Sequence, residues 1–270
     1  HVDVLWLRIK AESAVRFILD RKSRTRLSLL AHSWGTFAAG CFASRCPDFV
    51  DRLVWFGPIV RREMAPAAAV PRLPASRLIT PQQQWDRFVE DVPAGAEPVL
   101  HRADFEPWAR DYLASDPEAT GRTPPAVRVP GGPAQDIAAA WHGEFAYEPA
   151  AITAPVAILR GEWDSLTTDA DAHWLLNALT SAPEKCDVKL VCGTHLMHLE
   201  QGRERLYKAA SDFLLAGPGG EVQGGCAAFR RRAVGAGGPS RWRRCDRGGG
   251  GRGGGDRRRL SAHERHRRRR

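Results

Sequence analysis

"SLLAHSWGTFAAG", residues 28–40, runs from apolar residues into His32, presents a single serine, and then passes through Trp34 and Gly35 into a helical pattern. A hydroxyl exposed at the tip of a strand-to-helix turn needs a tight, strained backbone. In such a turn the residues two before and two after it crowd each other. Here both are small, Ala31 and Gly35. The helix that begins at once aims backbone N–H groups and the positive end of its dipole at the space where an oxyanion would develop. The simpler reading of the same letters is a serine that caps the helix.

The surrounding pattern places this turn in a sheet. Before it, Ala11, Ala14, Val15, Ile18 and Leu19 fall on one helical face. "RLSLLAH" (26–32) is a short apolar run suited to a buried parallel strand. Phe37, Ala38, Cys41 and Phe42 form a face of the following helix, which Pro47 ends, and "RLVWFG" (52–57) is the next strand. The alternation resumes late in the chain. "PVAILRG" (155–161) and "CDVKLVCG" (186–193) read as strands around a helix capped by Thr168 with Asp171, and a last helix carries Leu206, Ala209, Ala210, Phe213 and Leu214. Strands alternating with helices imply a predominantly parallel sheet covered on both faces, with ligand chemistry at the carboxyl ends of its strands. Ser33 stands at such an end.

Three compositional regimes follow. Residues 1–60 and 151–216 are the α/β core, residues 61–150 a helical insertion rich in Pro, Ala and Trp, and residues 217–270 a Gly/Arg tail. The net charge of +9 belongs to that tail: it holds 16 of the 40 basic residues and four of the 31 acidic ones, leaving 24 basic against 27 acidic side chains in the first 216. The globular part is thus mildly acidic, and nucleic-acid contact is confined to a tail too poor in apolar residues to order itself. The six cysteines form neither a CxxC pair nor a cluster with histidine, so no metal is expected and the thiols read as reduced and buried. No apolar run approaches the roughly 20 residues that span a bilayer, and the opening "HVDVLWLRIK" lacks the form of a secretory signal. A cytoplasmic protein without cofactor is the expectation.

"AHSWG" resembles the nucleophile elbow of the α/β-hydrolase superfamily, written G-x-S-x-G, with Ala31 in place of the first glycine. Two later segments resemble the same family in its chain order: "LRGEWDSLT", the strand-end turn that carries an acid, and "CGTHLMHLE", the late G-x-H segment. The resemblance implies a triad of Ser33, Asp164 and His195, with the backbone N–H of Trp34 as an oxyanion donor. Glu162 or Asp169 could take the acid role instead, and His198 competes with His195; His32 reads as structural. A serine at the nucleophile position argues against the dehalogenase and epoxide-hydrolase branches, which use a carboxylate. The implied reaction is serine hydrolysis of an ester, amide or related carbonyl compound through an acyl-enzyme. Cleavage of a carbon–carbon bond by the same triad is the alternative, and a non-catalytic, degenerate copy with a basic nucleic-acid-binding tail is a third reading.

The insertion resembles the family's cap. "ITPQQQWDRFVEDV" opens with a capping box at Thr80 and Gln83, and "FEPWARDYL" and "DIAAAWHGEF" read as further short helices. Trp34, Trp108, Trp141 and His142 are the candidate substrate contacts, implying a small-molecule substrate that is bulky and apolar, although each aromatic could equally anchor the cap to the core. The family's earlier strands, and the His-Gly loop that supplies its second oxyanion donor, have no counterpart in the sequence. An N-terminally incomplete α/β-hydrolase fold is therefore expected, with "VDVLWL" (2–7) as a candidate remnant strand.

Overall fold

The computed structural model describes residues 4–63 and 70–216. In chain order they form α1 (Val4–Lys22), β1 (Leu27–His32), α2 (Gly35–Arg45) and β2 (Val50–Phe56). An insertion follows with β3 (Ser76–Ile79), α3 (Pro81–Val89), α4 (Arg102–Ala114), β4 (Val127–Pro130) and α5 (Gly132–Trp141). The chain then returns through β5 (Val156–Gly161), α6 (Asp169–Ala178), β6 (Lys185–Leu190) and α7 (Arg203–Leu214). The Gly/Arg tail (217–270) of the sequence reading lies outside the described residues.

The four long strands form one parallel sheet in the order β1-β2-β5-β6. Side chains alternate across a strand, so each apolar run supplies two cores. Leu53 and Trp55 of β2 and Val156 and Ile158 of β5 pack with Val15 and Leu19 of α1, Phe37 and Phe42 of α2, and Leu175 of α6. Val54 and Phe56, with Ala157 and Leu159, point the other way and pack with Leu206, Ala209 and Phe213 of α7. Every residue of β5 is buried, as a strand covered on both faces should be.

The helix starts follow the sequence signals. Thr80 Oγ1 accepts from Gln83 N–H while Gln83 Oε1 accepts from Thr80 N–H, and Thr168 and Asp171 make the same reciprocal pair at α6. Three expectations change. Val4–Leu7 of "VDVLWL" belong to α1 and form no strand. The insertion is not purely helical, because β3 and β4 pair antiparallel; these four-residue strands are too short and too exposed to carry a readable alternation. Cys41, Cys46 and Cys186 are reduced thiols, but Cys192 is disulfide-bonded. Among the described residues no helix is long and apolar enough to cross a membrane.

Candidate active site

The parallel register brings the carboxyl ends of the four strands to one rim. His32 of β1 lies beside Phe56 of β2, Phe56 beside Leu159 of β5, and Gly161 beside Leu190 of β6. The segments leaving that rim carry, in sheet order, Ser33, Gly57, Asp164 and His195. The ladder extends one residue into the site: Ser33 N–H donates to Phe56 O at 3.0 Å and Gly57 N–H to Leu159 O at 2.8 Å.

Ser33 has φ of +54°, the left-handed region that a non-glycine residue occupies at a cost. The turn is fixed by its own backbone, since Thr36 N–H and Thr36 Oγ1 donate to Ser33 O at 3.0 and 2.6 Å. α2 has no side-chain cap, so the hydroxyl is left for another partner. That partner is His195, whose Nε2 lies 2.7 Å from Ser33 Oγ. Trp34 follows at the start of α2, and its N–H is among the amides that the first turn of a helix leaves without an intrahelical acceptor.

Across the ring, His195 Nδ1 lies 3.1 and 3.0 Å from Asp164 Oδ1 and Oδ2. Asp164 is buried and held from behind: its Oδ1 accepts from the N–H groups of Leu166 and Thr167, each at 2.9 Å. The rival acids are engaged elsewhere. Glu162 Oε2 accepts from Cys192 N–H at 3.0 Å. Asp169, with its side chain 72% exposed, pairs with Arg160 at 2.6 Å and Lys189 at 2.5 Å. The His198 ring lies 4.6 Å from the His32 ring, tilted by 59°, with its Nδ1 buried without a partner. Burial and the neighbouring His195 hold its pKa down at about 4.

Two supports were not legible as functional residues. His32 Nε2–H donates to His195 O at 2.9 Å. Burial first, and then His195 and His198, depress the His32 pKa to about 2, so the ring is a neutral donor that fixes the histidine turn. Gly57 has φ of +54°, and a Cβ there would lie 2.8 Å from His195 Cε1 and Nδ1 and 3.1 Å from Asp164 Oδ2. Only a glycine lets the imidazole and carboxylate meet over this strand end. The crowding expected at Gly35 is absent, for a Cβ there meets nothing within 4 Å beyond its neighbours and its own helix. The available signal was the glycine closing "RLVWFG".

The insertion touches the site through several residues, and Ser165 N–H, beside Asp164, donates to its Asp91 Oδ2 at 3.3 Å. Trp34 Nε1–H donates to Asp136 Oδ2 of α5 at 2.8 Å. Leu196, adjacent to His195, is buried in the cluster formed by Phe88, Leu100 and Phe105, against which Trp108 packs. Trp108 stacks on Tyr112 at 5.0 Å and Phe105 at 5.4 Å, within the insertion's own aromatic core. Trp141 lies under the Arg62 guanidinium at 4.6 Å, and His142 Nδ1–H donates to Ala138 O at 2.7 Å, closing its own helix. Of the four residues expected at the substrate, Trp34 therefore adjoins Ser33, while the other three make their contacts within the insertion or at its root. Among the described residues no group of three or more His, Cys, Asp or Glu is arranged to hold a metal.

Known proteins agree with this architecture. Solved structures that resemble the chain include BpoC from Mycobacterium tuberculosis H37Rv, 14% identical, covering 79% of this chain and 74% of that one with a TM-score of 0.51. Another is a monoacylglycerol lipase from Paleococcus ferrophilus, 19% identical, covering 79% and 76% with a TM-score of 0.48. The likeness to BpoC, at 14% identity, is one of fold. No curated protein matches the chain. The family described as "Serine aminopeptidase, S33" matches over residues 10–202, a span that holds all four strand ends of the rim, and the chain belongs to that family of the α/β-hydrolase superfamily.

Proposed function

We propose that the protein is a serine hydrolase acting on an ester, amide or related carbonyl bond of a small molecule with an apolar part. The observation that carries this reading is the 2.7 Å contact between Ser33 Oγ and His195 Nε2 on a residue held at φ of +54°. Strain of that kind at a lone hydroxyl is costly unless the exposed geometry is used.

The chemistry follows from the donors. His195 Nε2 takes the Ser33 proton as Oγ bonds to the substrate carbonyl carbon, and the carbonyl oxygen becomes an oxyanion. The Trp34 N–H, at the positive end of α2, stabilises that charge. Asp164 accepts from Nδ1–H, which fixes the tautomer and stabilises the imidazolium. Nε2–H then protonates the leaving alkoxide or amine as its bond to carbon breaks, leaving an acyl-Ser33. Water, deprotonated by Nε2, attacks the acyl carbon; the second oxyanion collapses, and the proton returns to Oγ as the acid departs. The insertion serves as a cap, with Trp34 as an apolar wall beside the nucleophile.

Labelling with a fluorophosphonate probe tests the assignment. Wild type is expected to be modified and to hydrolyse p-nitrophenyl esters; Ser33→Ala is expected to lose the label and about 10⁶-fold in kcat. Equal labelling of the two proteins overturns the reading.

A further inference from the structure

The turn that presents His195 is closed from behind by a carboxyl group. Glu200 follows the 3-10 turn Met197–Leu199 and is 0% exposed. Its Oε1 and Oε2 accept from Thr194 N–H at 3.2 and 3.4 Å, and Oε1 also takes a short hydrogen bond from Thr194 Oγ1. Because the hydroxyl proton points to Glu200, its lone pair is free for Leu196 N–H, which donates to Thr194 Oγ1 at 3.1 Å. The residues on both sides of His195 are thereby tied to one buried carboxyl.

An apolar side chain would fill that volume at less cost to the fold, since a buried carboxyl is expensive without a full counter-charge. The groups facing it give incomplete compensation. Arg205 of α7 attracts it, Asp91 beyond α3 repels it, and Arg203 Nη1 donates only to the Glu200 backbone carbonyl at 3.2 Å. Burial pushes the carboxyl up to about 7, against the downward pull of the Thr194 bonds. A costly ionisable group kept behind a reacting imidazole and linked to it through the adjacent Thr194 points to use in the reaction.

Building on the reading of Ser33 as nucleophile, we propose that Glu200 is a positioning residue: through Thr194 it holds the His195 imidazole in line with Ser33 Oγ, and its ionisation adjusts how readily that imidazole takes the serine proton. Charged, it favours the imidazolium; protonated, it keeps the hydrogen bonds but not the field.

The test uses the full chain as wild type, Glu200→Gln and Thr194→Val, with fluorophosphonate labelling and p-nitrophenyl ester hydrolysis followed from about pH 5 to 9. In Glu200→Gln the acid limb is expected to move down by about half a pH unit and to narrow to one ionisation, with KM unchanged. Thr194→Val is expected to lose about 10- to 100-fold in kcat without a change in KM. A Glu200→Gln profile superimposable on wild type overturns the inference. If that variant fails to fold, Thr194→Val decides, and a loss that merely tracks its unfolded fraction by circular dichroism overturns it. The low-field proton resonance of His195 Nδ1–H separates the two readings. Should wild type fail to label, the nucleophile assignment falls. A pH titration of that resonance that differs between wild type and Glu200→Gln still supports action of Glu200 on His195, and an identical one overturns it.

Discussion

Leu30 and Val54 are partners in the same ladder and point to the same face of the sheet, yet Leu30 is 55% exposed and Val54 is 0% exposed. β1 is one edge of the sheet among the described residues, as β6 is the other, each paired on one side only, whereas β2 and β5 are paired on both. The site inherits this asymmetry. Ser33 leaves the edge strand β1 and is held by its local turn and by the Trp34–Asp136 strut. Asp164 follows the interior strand β5 and His195 follows β6 at the opposite edge, and both are held by burial, by two backbone donors on Asp164, and by His32 behind His195. The Ser33 half of the site is positioned by its local turn, and the Asp164–His195 half by burial and hydrogen bonds.

That contrast can be broken at several points. Asp164→Asn is expected to keep the fold and lose about 10⁴-fold in kcat, because the tautomer of His195 is no longer imposed; ester hydrolysis in a folded variant measures it, and a loss below tenfold would mean the Asp164–His195 half does not direct the chemistry. Ile158→Ala, at the centre of β5, is expected to cost about 2–5 kcal/mol in urea unfolding. Leu30→Ala on the edge should cost under about 1 kcal/mol. Equal costs would remove the distinction between edge and interior.

A smaller effect is expected from Gly57→Ala. Its φ of +54° and the 2.8 Å approach of a Cβ to the imidazole should destabilise by about 1–3 kcal/mol and lower kcat by displacing His195. A variant with wild-type kcat and stability would show that the strand end has slack. The smallest expected effect is on pH dependence. His32 and His198 have folded-state pKa values of about 2 and 4, both below the ordinary value of 6.5. Below pH 6.5 the unfolded chain binds protons that the folded one refuses, so stability is fully present above that pH and falls on acidification. Each histidine contributes a slope of about 1.4 kcal/mol per pH unit. His32→Gln, which keeps a donor for His195 O, should flatten the acid limb by one such slope in urea titrations; an unchanged slope would place a charge on His32 in the fold.

Much of this was readable along the chain. The four apolar runs are the four parallel strands, and the helix caps at Thr80 and Thr168 form as their letters suggest. Ser33, Asp164 and His195 come within hydrogen-bond reach in the order the motifs implied. What stayed hidden depends on contacts between distant segments. β3 and β4 are too short for a periodic signal, and the aromatic run containing Trp108 gives no sign that its partners are Phe105 and Tyr112 rather than a substrate. Nor does a lone glutamate six residues after Thr194 announce that it is wholly buried.

By itself the sequence determined the local physics: where apolar runs make buried strands, where helices start, and that a small-residue turn presents one hydroxyl at a strand end. Those outcomes depend on neighbours a few residues apart, which the chain states directly. Only the tertiary structure decided that Gly57, not Gly35, is the crowded glycine, that Glu162 and Asp169 are engaged away from His195, and that β1 is an edge. Each of these depends on which strand lies beside which, and that choice is fixed by the packing of the two cores rather than by any short stretch of letters.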